Sequence, residues 1–163
     1  MEMRRKEREV TDINEIEDII KQGKICHVAM LDGDMPYVVP LSYGYKIIDG
    51  KILELYFHSS KNGGRKIDIL QKNSSVCFAI SNGGEPVNAQ TPCNSGYYFS
   101  SVIGNGEVVF IADTNEKKEG LALMFKQQAN QELTFNENQA NAVCVYKIVS
   151  NDYCGKKKLN PNL

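Results

Sequence analysis

The chain has 163 residues and a mass of 18.3 kDa, the size of one domain, and its 42% hydrophobic and 24% charged content excludes a disordered or fibrous chain. Nineteen Lys and Arg against twenty Asp and Glu leave a formal charge of −1, so no global positive field is on hand for nucleic acid or an acidic membrane. With two histidines (His27 and His58) and no tryptophan, a His-rich metal enzyme is excluded on supply.

The N-terminal run Met1 to Arg8 is charged and no apolar stretch follows it, so no secretory signal is expected. Residues Asp12 to Gln22 predict the first helix: Asp12 caps it, Glu15 completes a capping box and Gly23 stops it. Ile13, Ile16, Ile19 and Ile20 fall on one face of that helix. Strand-like runs follow at Ile25 to Leu31, Tyr37 to Tyr45 and Ile52 to His58, punctuated by Asp32-Gly33-Asp34 and Asp49-Gly50. Short β-branched and aromatic runs joined by D-G turns predict a β-meander. Gly64 to Lys72 reads as a short helix, and Val76 to Ile80 as a fourth strand. Ser81 to Ser95, rich in Asn, Gly and Pro, reads as a surface loop. A long strand is expected from Tyr97 to Ile111, with a bend at Gly104-Asn105-Gly106. Asp113 or Thr114 caps a third helix with Leu121, Met124, Phe125 and Gln128 on one side. Ala142 to Val149 supplies the last strand, and 151–163 is expected as a tail on a single domain spanning 1–163.

Five scattered cysteines form no C-x-x-C pair, and Cys26, Cys77 and Cys144 sit in apolar runs, which points to a reducing, cytoplasmic setting. No apolar stretch approaches the ~18 residues a membrane span needs. Six strands and three helices predict a mainly β fold, a small antiparallel barrel with helices packed outside. A side-chain-filled barrel leaves its outer wall or a subunit interface for a ligand.

The densest polar cluster is Tyr56 to Lys66, which leaves a strand, passes Gly63-Gly64 and enters a helix. Hydroxyls and the cations Lys61, Arg65 and Lys66 gather at a helix start, where unpaired N–H groups and the dipole favour an anion. No G-x-x-x-x-G-K-[ST] loop is present, and spacing alone leaves a solvated turn equally open. The second cluster is Pro36 to Tyr45, where Pro40 marks an edge or bulged strand whose backbone is free. A flat heteroaromatic ring could use those groups; alone, the run reads better as a plain barrel edge. His27, inside an apolar run, reads as structural, and Cys93 as an exposed loop thiol.

Val39-Pro40-Leu41-Ser42-Tyr43-Gly44-Tyr45, then Leu55-Tyr56-Phe57-His58-Ser59 and Gly64-Arg65-Lys66, resemble the flavin-binding split-barrel relatives of pyridoxamine 5'-phosphate oxidase. The nitroimidazole-resistance (Nim) group is the nearest likeness, supported by Ser101 to Gly106, Glu116-Lys117-Lys118, Met3 to Lys6, Val10-Thr11-Asp12 and Gly155-Lys156. The resemblance implies a six-stranded antiparallel split β-barrel of Greek-key type, acting as a homodimer with FMN in grooves between the subunits. It implies that Lys61, Arg65 and Lys66, with Ser59 and Ser60, hold the phosphate. The backbone of Val39, Pro40, Leu41, Ser42 and Tyr43 would run beside the isoalloxazine ring, with His58 near that ring. The partner chain would contribute from Tyr98 to Ser101 and around Lys156.

The implied activity is an FMN-dependent reductase of nitroaromatics or similar small flat electron acceptors, with His58 as either a proton donor or a hydrogen-bonding partner only. The family's vitamin B6 oxidases end in a segment rich in Arg and Trp, whereas this chain has no Trp and ends in Lys156-Lys157-Lys158. That departure argues against vitamin B6 oxidation. A flavin- or haem-binding module without turnover is the alternative. Single-stranded nucleic acid is disfavoured, because Tyr97, Tyr98 and Phe99 lack flanking cations.

Overall fold

The computed structural model describes residues 3–88 and 90–158. In chain order the elements are β1 (Glu9–Val10), α1 (Ile13–Gln22), β2 (Ile25–Asp32), β3 (Met35–Ser42), β4 (Gly44–Ile48), β5 (Ile52–Ser60) and α2 (Arg65–Lys72). There follow β6 (Ser75–Asn82), β7 (Pro86–Val87), β8 (Gly96–Tyr97), β9 (Phe99–Phe110), α3 (Thr114–Ala129), α4 (Glu137–Asn141) and β10 (Val143–Lys158). All strand pairs are antiparallel, and the main sheet runs β3-β2-β6-β9-β10-β5-β4, with β1 added to β10. Its two ends, β3 and β4, are separated in sequence by Tyr43 alone and do not pair with each other. The barrel is therefore split, closed there by a corner of the chain.

Local chemistry explains the turns. The β4–β5 hairpin turns on Asp49 and Gly50, with φ of 51° and 63°, the left-handed pair of a type I′ turn that the Lys51 N–H closes on the Ile48 carbonyl at 3.0 Å. Asp12 accepts from the N–H groups of Asn14 and Glu15 to start α1. The reciprocal half of a capping box forms instead at α4, between Asn136 and Gln139, while Glu15 lies 3.9 Å from Lys157.

More strands form than the six expected: eight in the main sheet, with β7 and β8 as a separate ribbon. The run Tyr37 to Tyr45 divides at Tyr43, because that side chain turns into the core and its hydroxyl donates to the Ile20 carbonyl at 2.6 Å. The expected surface loop holds β7, and residues 151–158, expected as tail, continue β10 past a bulge between Val149 and Asp152. Beyond that bulge β10 keeps its ladder with β9 and gains β1.

Two apolar clusters hold the fold. The first fills the barrel from Ile19, Ile20, Val28, Leu53, Leu55, Phe57, Phe78, Ile80 and Ile148, and α1 and α2 close on it with Ile16, Ile67 and Leu70. The second lies outside the sheet, where Tyr56 and Val145 meet Leu121 and Met124 of α3 and Ala140 of α4. The buried face of α3 is Gly120, Leu121, Met124 and Gln127, one step round from the expected stripe, and Phe125 is exposed. Gly120 belongs to that face because the Tyr56 ring packs where its side chain would be. Between α3 and the sheet, Lys147 Nζ stands 2.6 Å from Glu54 and 2.8 Å from Glu116, and Tyr56 donates to Glu54 at 2.6 Å. Among the described residues no helix is long and apolar enough to cross a membrane.

Candidate functional site

Strand β5 delivers the polar cluster to the end of the barrel. Its last residues lie against the start of β10, with His58 opposite Val145, Ser59 opposite Cys144 and Ser60 opposite Val143. Alternation then divides the cluster between two faces. Ser59 is half-buried on the barrel side with Phe57 and Tyr146, while His58 and Ser60 point outward and are exposed. A continuous His58-Ser59-Ser60 surface is thus not formed.

The chain next turns through Gly63 and Gly64, with φ of 79° and 135°, into α2. Gly64 is the N-cap and has no side chain to cap with, so the first turn of α2 is left for other acceptors. Arg65 folds back over the β2–β3 hairpin. Its guanidinium donates to Asp32 (Nε 3.0 Å, Nη2 2.9 Å) and lies 4.4 Å above the Tyr37 ring. Lys66 turns the other way: half-buried, its Nζ sits 5.9 Å from the Tyr146 ring. Burial holds the Lys66 pKa below the ordinary lysine value, and the Cys144 thiol opposes that drop. Surrounding protein, then the Lys66 charge, lowers the His58 pKa, although its outer side stays open to solvent. Lys61 is exposed on the turn.

The first strand cluster is positioned by β3, which pairs with β2 alone, the edge placement Pro40 implied. Val39 and Leu41 pack on the core, while Pro40 and Ser42 face out. The Tyr43 hydroxyl donates to the Ile20 carbonyl, and the Tyr43 carbonyl accepts from the Gln128 amide at 2.9 Å. His27 is exposed opposite Pro40, so it is a surface residue of β2 and not part of the core.

Tyr98, Ser101 and Lys156 stand apart. Ser101 pairs with Lys156, while the end of the ladder beside Lys66 is Phe110 opposite Tyr146. Nine residues of strand separate Ser101 from Phe110, about 30 Å along β9. One chain therefore gathers Ser59 and Lys66 near Tyr146, with Arg65 at the same helix start, but not the Tyr98-to-Lys156 group. That second group has its own chemistry, with Lys158 Nζ 5.7 Å from the Tyr98 ring and Lys156 Nζ 5.6 Å from Phe99.

Three residues at the first site escaped sequence reasoning. Asp32 was read as a turn residue, Tyr37 lay inside the edge-strand cluster without a role, and Tyr146 was one more apolar position in the last strand. The parity of β10 was the available signal, since Cys144, Tyr146 and Ile148 share one face. A cleft of about 580 Å³ lies elsewhere, along Leu31, Cys77, Asn105, Glu107 and Asp152. The cluster is open surface in the single chain. Among the described residues no group of three His, Cys, Asp or Glu could hold a metal ion. Lys61, Arg65 and Lys66 surround an uncapped helix start, with Arg65 and Lys66 turned to opposite sides of it, a chemistry compatible with an anion.

Comparison with known proteins agrees with the fold. Residues 12–157 match the family model described as pyridoxamine 5'-phosphate oxidase. A candidate 5-nitroimidazole antibiotic resistance protein from Bacteroides thetaiotaomicron is 30% identical, with 91% of this chain and 86% of that chain covered and a TM-score of 0.77. The FAD and heme binding protein from Mycobacterium smegmatis superposes at a TM-score of 0.78 with 17% identity, covering 94% of this chain and 74% of that one. The flavocytochrome Anf3 from Azotobacter vinelandii gives 0.77 with 21% identity, over 98% and 73% respectively. At those identities the last two speak for the fold alone. No curated protein matches the sequence.

Proposed function

Because the chain belongs to the pyridoxamine 5'-phosphate oxidase family, we propose that it is an FMN-dependent reductase of small, flat electron acceptors such as nitroaromatics. The observation that carries this reading is the uncapped start of α2, where Arg65 and Lys66 directly follow a glycine N-cap. The donor set fits a phosphate monoester: two ammonium groups, a guanidinium, serine hydroxyls and free first-turn N–H groups. Gly64 adds access, since nothing stands within 4 Å of where its side chain would project.

When bound, the flavin supplies the two-electron chemistry. The protein's own residues bind, orient and exclude water. Lys61 and Lys66 neutralise the phosphate, and Arg65 keeps Asp32 from repelling it. The exposed backbone edge of β3 at Pro40 to Ser42 is the wall for the ring. His58, whose pKa is held below the ordinary histidine value, favours the neutral imidazole, which donates a hydrogen bond from one ring nitrogen and accepts at the other, suited to orient the ring or an acceptor beside it. Tyr98, Ser101 and Lys156 reach such a site only from a second copy of the chain, which makes the working unit a homodimer and the domain, 1–163, one half of each site.

Purified protein titrated with FMN should take up close to one flavin per chain and turn yellow. Arg65→Ala should raise the FMN Kd about tenfold to thirtyfold with the melting temperature of the free protein little changed. The effect is moderate because Arg65 is exposed and already shared with Asp32. A protein that takes up no FMN, or an Arg65→Ala variant of unaltered affinity, sinks the phosphate assignment.

A further inference from the structure

Tyr146 is fully buried, and its hydroxyl has no hydrogen-bond partner among the described residues, the only buried side-chain polar atom in that position there. Such a group costs about 1–3 kcal/mol, a cost native proteins seldom carry without a use for it. The ring is held firmly: Phe57 stacks on it at 5.5 Å with an 18° interplanar angle, and Phe110 leans on it at 5.8 Å. The phenol cannot swing away to find a partner.

The polar group beside the hydroxyl is Ser59. Ser59 and Tyr146 are diagonal neighbours on one face, through the pairs Cys144 with Ser59 and Tyr146 with Phe57. Burial raises the phenol's pKa and the Ser59 side chain draws it back down, so the two groups feel each other without an aligned hydrogen bond. The Lys66 ammonium lies 5.9 Å from the ring, and Lys66 is in the first turn of α2, the helix start read above as the anion site.

We propose that Tyr146 is a positioning residue for the anion site, acting through Ser59: its hydroxyl donates to Ser59 Oγ when Ser59 donates to a bound phosphate. This rests on the phosphate reading above. The proton count is consistent, since a serine hydroxyl gives one hydrogen and accepts another. Chained hydrogen bonds polarise one another, so the buried donor strengthens the contact Ser59 makes. The free protein keeps Tyr146 unsatisfied, and the ligand completes the chain. Tyr146 thus stores a cost in the empty protein that binding removes.

The test is Tyr146→Phe, which keeps the ring and deletes only the hydroxyl, with two readouts. In the flavin-free protein the melting temperature should hold or rise by about 2–4 °C, because an unsatisfied group is removed. The FMN Kd should rise about fivefold, the loss of one ordinary hydrogen bond. In a Ser59→Ala background the same substitution should leave the Kd unaltered, because the relay is already cut. A flavin-free variant that melts several degrees lower shows the hydroxyl is satisfied without ligand, and overturns the proposal. An unaltered FMN Kd in Tyr146→Phe, with the unmutated protein binding normally, overturns it too while leaving the phosphate reading intact. An unmutated protein that binds neither FMN nor inorganic phosphate overturns both.

Discussion

Lys147→Ala should lower the free energy of unfolding by about 3–5 kcal/mol, because it strands a carboxylate that the fold has taken out of water. Glu54 is only 8% exposed in its side chain, Lys147 16%, and Lys147 is the cation that Glu54 and Glu116 share. In a domain of this length that loss corresponds to a melting temperature roughly 10 °C lower. A thermal melt and a urea titration measure it directly. The paired change Lys147→Met with Glu54→Leu should recover most of the loss, since two apolar side chains carry no stranded charge. A loss below 1 kcal/mol for the single variant would show that water reaches Glu54.

The same pair sets a pH window. Burial alone would raise the Glu54 pKa, but bonds from Lys147 and Tyr56 outweigh it and hold the value below the ordinary glutamate range. Its contribution is therefore present above the unfolded pKa and is lost as pH falls through the folded one. For Lys147, burial pulls the pKa down and the bonds to Glu116 and Glu54 more than restore it, leaving it raised. That contribution is complete below the unfolded lysine pKa and is lost as pH rises through the folded value. Stability should thus be flat between about pH 5 and pH 10 as far as this pair is concerned.

Gly44→Ala should cost about 3 kcal/mol, at the upper end of overpacking penalties. A Cβ there would stand 2.5 Å from the Leu123 carbonyl carbon and closer still to the Met124 nitrogen. Those are backbone atoms of α3, which cannot rotate aside as a side chain tip can. Either the helix shifts off β4 or the strand does, and Met124 loses its place in the outer cluster. A melting temperature within 2 °C of the unmutated protein would mean that α3 stands further from the sheet than described.

Most of the scaffold was legible in the sequence because local chemistry specifies it. The D-G pair at Asp49-Gly50, the isoleucine stripe of α1 and the cap at Asp12 each act over a few residues, and each formed where expected. Pro40 announced an edge, and β3 is one. Misreadings arose where a distant partner decides. Tyr43 breaks its strand because Ile20 offers a carbonyl, and the buried stripe of α3 is rotated because Tyr56 requires Gly120 beneath it. The tail past Asn151 became strand because β9 and β1 supply ladders on both sides. At the candidate site the cations were visible as a cluster, but not that strand parity sends His58 and Ser59 to opposite faces. Asp32 and Tyr146 carried no local signal, since only the closed barrel brings them to α2.

The split between β3 and β4 also governs how the molecule can meet another. Open sheets risk recruiting a foreign strand along an unpaired edge. Here one edge, β3, carries Pro36 and Pro40, which have no N–H to offer, and the other, β4, lies under α3. Neither edge can template further ladder growth. At these two edges contact with another molecule falls to side chains and not to ladder hydrogen bonds, which guards both ends of the main sheet against the edge-to-edge association that leads to amyloid-like aggregates.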